Sequence, residues 1–159
     1  MLRPRFGGKK KKSKQFSKLK TNGKNQIVPF FGVGTIVNEE SDLIDIKCNY
    51  GEPSEDFIDE RGNRILSYTN DGLSFKFLKI LNKKIKNPVV SFITIKRPFK
   101  DKSEENIYPG LDKIDVQFRM KNNHPSEVKL YDEIWKDENG KKMKFTYDKG
   151  DKLETITIF

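Results

Sequence analysis

The chain lacks alanine altogether and has one cysteine, one histidine and few arginines, which stand only at Arg3, Arg5, Arg61, Arg64, Arg97 and Arg119. Alanine is the best helix former, so its absence weighs against a helical bundle. A single cysteine, Cys48, closes no internal disulfide, and no Cys/His cluster has zinc spacing. With His124 as the only histidine there is no histidine-rich metal site. No window approaches the roughly 18 apolar residues that a transmembrane helix needs. The basic N-terminus has no apolar segment behind it, so a secretory signal is not expected. The expectation is a virion or intracellular, cytoplasmic protein, neither secreted nor in a membrane, with no metal and no cofactor.

Apolar residues make up only 34% of the 159, yet 12 Phe, 5 Tyr and 1 Trp can fill a small core. The net charge is +9, from 32 Lys+Arg against 23 Asp+Glu. Its distribution matters more than its size. Arg3, Arg5, Lys9, Lys10, Lys11, Lys12, Lys14, Lys18, Lys20 and Lys24 all precede the first acidic residue, Glu39. The other 135 residues hold 22 basic and 23 acidic side chains, so the positive balance belongs to the N-terminal arm. An arm so polar, with Phe6, Phe16 and Leu19 as its main apolar anchors, cannot bury enough surface to fold alone. The chain therefore divides into a basic arm, residues 1–24, disordered when free, and a β-rich domain, residues 25–159.

The domain reads as strands and turns. Residues 26–37 (QIVPFFGVGTIV) suggest a strand with a bulge at Pro29. Residues 42–49 alternate, which predicts a strand with Cys48 on its apolar face. Residues 54–60 predict a short helical turn, with Ser54 as cap and Phe57 packing inward. Residues 64–69 and 73–80 flank Asn70-Asp71-Gly72, a strong hairpin signal. Residues 89–95 (VVSFITI) form the clearest strand, ended by Arg97-Pro98. Ile114, Val116, Phe118 and Met120 alternate with polar residues as in a half-buried strand. Residues 128–135, 141–147 and 153–159 form a C-terminal meander, with Met143, Phe145 and Tyr147 on one face. The predicted fold is all-β: one antiparallel domain, sandwich or barrel-like. No internal repeat is apparent.

No residue pattern announces catalysis. Cys48 and His124 are far apart and lack an orienting third residue, so a buried thiol and a loop histidine account for both. Nine carboxylates between Glu39 and Glu60 lack the order of oxygen ligands in a calcium loop and read as a solvated face or partner surface. Residues 76–102 hold Lys76, Lys79, Lys83, Lys84, Lys86, Lys96, Arg97, Lys100 and Lys102, interleaved with Phe75, Phe77, Phe92 and Phe99. That pattern suits a single-strand-binding surface, although alternation assigns most of these aromatics to the core.

The expected function is a non-enzymatic structural component of a nucleic-acid-containing assembly. The arm would contact nucleic acid backbone or a neighbouring subunit, and the β domain would dock on other proteins, with self-association as a further option. Abundant Asn, Ile and Lys suggest AT-rich coding and lean the reading towards a phage or viral capsid-associated protein over a ribosome-like particle. The alternative is a free-standing single-stranded nucleic-acid-binding protein. In it the face from Lys76 to Lys102, with Lys83, Lys84, Lys86, Lys96 and Arg97 as its candidate contacts, would line the groove.

Overall fold

The computed structural model describes residues 26–79, 87–103, 106–120 and 125–159. Eleven strands and two helices are seen among them. In chain order they are β1 (Ile27–Val28), β2 (Gly32–Val33), β3 (Ile36–Val37), α1 (Leu43–Tyr50), β4 (Glu55–Ile58), β5 (Arg64–Tyr68), β6 (Leu73–Phe77) and β7 (Phe92–Lys96), followed by α2 (Lys113–Arg119), β8 (Pro125–Val128), β9 (Asp132–Lys136), β10 (Lys142–Tyr147) and β11 (Leu153–Ile158). The predicted all-β, antiparallel character holds. One eight-stranded sheet runs β4-β5-β6-β7-β11-β10-β9-β8, and β1–β3 form a separate three-stranded sheet. The C-terminal meander is β8–β11, with antiparallel neighbours throughout.

Period-two alternation gives the large sheet one apolar face. Leu66, Tyr68, Leu73, Phe75, Phe77, Ile93, Ile95, Trp135, Met143, Phe145, Tyr147, Ile156 and Ile158 are buried there. Ile46 of α1, Val116 of α2 and Ile27, Val33 and Ile36 of the small sheet belong to the same cluster. The helices and small sheet thus cover one face of the large sheet and leave the other uncovered by any of these elements. Burying each large aliphatic side chain contributes roughly 2 kcal/mol. The exposed Lys47–Glu52 pair, at 3.3 Å, belongs to a class worth about 0–1 kcal/mol. Apolar burial decides the fold.

The hairpin expected at Asn70-Asp71-Gly72 joins β5 to β6. Gly72 adopts φ +68°, and a Cβ there would collide with the Lys96 carbonyl of the neighbouring strand. Glycine is required there twice over, for backbone angle and for close approach.

Three segments differ from the sequence reading. Residues 42–49 and 114–120, expected as strands, carry the helices Leu43–Tyr50 and Lys113–Arg119. Leu43, Ile46 and Tyr50 recur at i, i+3 and i+7, as do Lys113, Val116 and Met120, so short windows fit both periods. For α1 a capping box settles the choice: Asp42 Oδ1 accepts from Asp45 N–H at 3.0 Å, and Asp45 Oδ2 accepts from Asp42 N–H at 2.9 Å. Cys48 is consequently exposed and not in the core. The expected helical turn at 54–60 is edge strand β4, paired with β5 from Glu55↔Ser67 to Ile58↔Arg64. Ser54 caps no helix: its Oγ accepts from Thr69 N–H at 3.2 Å. Phe57 remains 44% exposed. Residues 26–37 are not one bulged strand but three short ones folded back by turns, with Phe30 at φ +68°.

An internal duplication organises the large sheet. Each half is a helix followed by a four-stranded meander, α1–β7 and α2–β11, and the sheet order mirrors itself about the β7–β11 junction. Core residues correspond: Leu73, Phe75 and Phe77 of β6 with Met143, Phe145 and Tyr147 of β10, and Ile46 with Val116. The approaches to β7 and β11 correspond too. Val90 N–H donates to Ser41 O at 2.8 Å, just ahead of α1, and Leu153 N–H donates to Leu111 O at 2.7 Å, just ahead of α2. The bridges Asp42↔Val89 and Asp112↔Lys152 repeat the same relation. Thr94 then corresponds to Thr157, and these two residues pair with each other. They lie on a pseudo-two-fold axis. Unequal connections between the strands put the matching residues out of step, which is why no repeat is apparent in the sequence.

Candidate nucleic-acid interface

The uncovered face of the large sheet is built by the residues that alternate with the core. Register carries one row across it: Glu55, Ser67, Ser74, Thr94, Thr157, Lys144, Ile134 and Glu127. A second row runs Phe57, Ile65, Lys76 and Phe92. Thr155 lies between Lys96 and Thr146, and Lys142 lies opposite Lys136. Five lysines (Lys76, Lys96, Lys136, Lys142 and Lys144) therefore share this face with Glu55, Glu127 and Asp132 nearer its edges, and its centre is small and hydroxylated.

Two aromatic rings stand among them. Phe92 and Phe159 stack with centroids 5.9 Å apart and planes within 9°. Lys76 Nζ lies 5.3 Å from the centre of the Phe92 ring, and Lys142 Nζ lies 6.0 Å from that of Phe159. A cation over a ring face is held by the ring quadrupole without losing its charge to an acid. Lys76 is also 3.9 Å from Asp59 Oδ2, a loose pair. Like charges directly opposite on neighbouring strands repel, so Lys136 and Lys142 form a position that an anion would relieve.

Of the residues selected from sequence, Lys96 is exposed at the end of β7 and belongs to this face. Arg97 is exposed just after it, its guanidinium turned towards Gly110: a Cβ on Gly110 would stand 3.1 Å from Nη2. Arg3, Arg5, Lys9, Lys10, Lys11, Lys12, Lys14, Lys18, Lys20 and Lys24 lie outside the described residues, as do Lys83, Lys84, Lys86 and His124. Lys100 and Lys102 are exposed in the loop after β7, where Lys102 O accepts from Ile27 N–H at 3.3 Å. Of the interleaved aromatics, Phe75, Phe77 and Phe99 are buried, and Phe92 alone reaches the open face. Lys136, Lys142, Lys144 and Phe159 escaped the sequence reading as site residues. Their signal was present: each occupies the phase opposite to Trp135, Met143, Phe145 and Ile158.

The carboxylates between Glu39 and Glu60 do separate local work. Asp45 completes the α1 cap, and Asp59 Oδ1 accepts from Arg61 and Asn63 N–H, both at 2.9 Å. Asp56 grips Arg64 through two bonds of 2.9 and 2.7 Å. That bidentate contact holds the Asp56 carboxyl below the usual carboxylate range. Among the described residues no three metal-ligating side chains converge, and no helix is long and apolar enough to cross a membrane.

On the core face, Glu133 is only 1% exposed. Tyr147 Oη donates to its Oε1 at 2.6 Å and Gln117 Nε2 to its Oε2 at 2.7 Å. Burial and then the Glu133 carboxylate push the Tyr147 phenol well above its ordinary range. The triad is closed on itself, with both carboxylate oxygens satisfied from within.

No family model matches the chain, and no curated protein matches it either. Among solved structures, YjgB, a DUF4309 family protein from Bacillus subtilis subsp. subtilis str. 168, aligns with TM-score 0.51 and 12% identity over 91% of this chain and 97% of its own. An extracellular protein containing a SCP domain from Bacillus anthracis str. Ames aligns with TM-score 0.50 and 11% identity. That match takes in 87% of this chain and 46% of the other, so the present chain spans less than half of that protein. At such identities the likeness is one of fold.

Proposed function

We propose that the domain is a non-enzymatic binding module that takes single-stranded nucleic acid on the open face of its large sheet. The observation that carries this reading is the parallel Phe92–Phe159 pair, flanked by Lys76 and Lys142. Exposed bases stack on such rings whatever their sequence, and neighbouring lysines meet the backbone phosphates. Lysine is a flexible point charge, suited to phosphates and poor at bidentate base reading, so backbone contact is the main source of affinity.

The test is fluorescence anisotropy of labelled single-stranded oligonucleotides over a salt series, with full-length protein. Replacing Lys136, Lys142 and Lys144 by Ser is expected to lower the salt slope by about 2, at roughly 0.7 per lost phosphate contact. Phe92→Ser is expected to cost about 1–3 kcal/mol of affinity. If instead only Ser replacements at Lys9, Lys10, Lys11 and Lys12 weaken binding, the arm is the anion-binding element and the face is not.

A second reading, a component of a larger assembly, rests on the opposite side of the molecule. Ile44 and Ile114 are 66% and 79% exposed, and they occupy corresponding positions of α1 and α2. Phe118, one turn beyond Ile114, is 73% exposed. Apolar groups repeated on the outer faces of both helices suit contact with another protein. A virion or capsid setting belongs to this reading, with the nucleic acid on one side and the protein on the other.

A further inference from the structure

The row of the open face that holds the stacked rings extends well beyond them on both sides. Cross-strand pairing joins Phe57 to Ile65, Ile65 to Lys76 and Lys76 to Phe92. Phe92 stacks on Phe159, whose N–H donates to Lys142 O at 3.2 Å, and Lys142 lies opposite Lys136. Residues paired directly across a sheet point to the same side, so these side chains form a line on the open face from β4 to β9. At about 4.8 Å per strand the line runs roughly 29 Å from Phe57 to Lys136, and Phe57 lies about 14 Å from Phe92.

This line contains no carboxylate. The middle row ends on Glu55 and Glu127 and has hydroxyls at its centre. The third row, Lys96, Thr155, Thr146 and Asp132, holds no ring and ends on an acid. Phe57 stands 44% exposed at the edge of the sheet. Glu55 shares its side of β4, and Asp59, just beyond the strand, reaches Lys76 Nζ at 3.9 Å. Carboxylates on both sides of the ring repel a phosphate, so this end of the line suits a base.

We infer that Phe57 is a second base platform of the open face. A single strand lies along this row, with bases on Phe57 and on the Phe92–Phe159 pair and phosphates on Lys76, Lys142 and Lys136. The inference rests on the open-face reading and deepens it, giving the strand a path, a length and two unlike ends. One end is a ring between acids; the other is two lysines in succession. A line of roughly 29 Å suits a footprint of about four to five nucleotides, the low end of site sizes on small domains.

The experiment measures anisotropy of an oligothymidylate longer than this footprint, with full-length native protein, Phe57→Ser, Ile58→Ser and Phe92→Ser. Phe57→Ser is expected to weaken binding about tenfold and to leave the salt slope unchanged, since a ring meets no phosphate. Ile58, 62% exposed, lies on the other side of the same edge strand, and Ile58→Ser should bind as the native protein does. Native-like thermal melts are expected for both edge variants, because neither side chain is buried. Phe57→Trp gives a direct readout: a base on the new indole quenches its fluorescence, while Trp135, 2% exposed, stays a constant background. Native-like affinity of Phe57→Ser, or no quenching in Phe57→Trp, with Phe92→Ser still weakened, overturns the second platform and leaves the open face standing. Equal losses in Phe57→Ser and Ile58→Ser assign the effect to the edge strand itself and overturn the platform too. If Phe92→Ser also binds as tightly as the native protein, or if the native protein binds no oligomer, the open-face reading falls with it.

Discussion

Leu66 in the first half of the sheet and Glu133 in the second occupy corresponding core positions, each opposite a phenylalanine of the next strand, Phe75 and Phe145. Both are buried, Leu66 at 0% and Glu133 at 1% exposure. Around Leu66 the corresponding residues are Lys47, turned outward to Glu52, and the apolar Phe77. Around Glu133 they are Gln117 and Tyr147, and both donate to it. The same backbone thus accepts a carboxylate only where two donors came with it. A buried charge is tolerated as a set of three residues, not as one.

Exchanging the two solutions breaks the comparison most severely. Leu66→Glu places a carboxylate where no donor answers it, and a loss of about 3–5 kcal/mol is expected in urea denaturation. Glu133→Leu strands the Tyr147 hydroxyl and the Gln117 amide, and should cost about 1–3 kcal/mol. Adding Tyr147→Phe to Glu133→Leu should recover most of that loss. A double-mutant cycle with no coupling would show that the triad is not a unit. The helix starts provide a finer contrast. Asp42 completes a capping box, whereas Asp112 makes no side-chain cap bond and pairs with Lys152 at 2.6 Å. Asp42→Ala should cost about 1 kcal/mol and Asp112→Ala less, measured by thermal melts of each variant.

The smallest effect is a slope with pH. The Tyr147 phenol ionises in the folded protein only well above its ordinary 10.0, so its contribution is fully present below pH 10. Above that, the unfolded chain loses its proton first, and stability falls as pH rises towards the folded value. Tyr147→Phe should flatten this alkaline limb, as read from melting temperature between pH 9 and 11. Tyr50 and Tyr68, also raised by burial, will keep a residual slope from the first half.

Much of the sheet was legible because alternation reports burial directly. Met143, Phe145 and Tyr147, or Ile156 against Thr157, could be assigned to faces from spacing alone. The helices were not legible, because eight residues with apolar groups at 43, 44, 46, 48 and 50 satisfy both periods. Only the mutual hydrogen bonds of Asp42 and Asp45 separate them. The candidate site was half visible. Lys96 and Phe92 stood in the basic segment selected from sequence, but their neighbours Lys142 and Phe159 come from the other half of the chain. What joins them is the β7–β11 pairing, a contact between distant segments that no local pattern encodes.

That pairing has a consequence for how the present face came to be one-sided. Thr94 against Thr157 is what a homodimer of half-length chains would carry at its centre, one strand laid against its own copy. A dimer must repeat every feature across its axis. Once both copies belong to a single polypeptide, the obligation lapses and the copies are free to diverge. Across the axis, Phe92 corresponds to Thr155 and Phe159 to Lys96, so the stacked rings occur once, with no second set. Covalent union of the halves turns a surface that would be duplicated into one with a single polarity, along which a strand bound as proposed would have a defined direction.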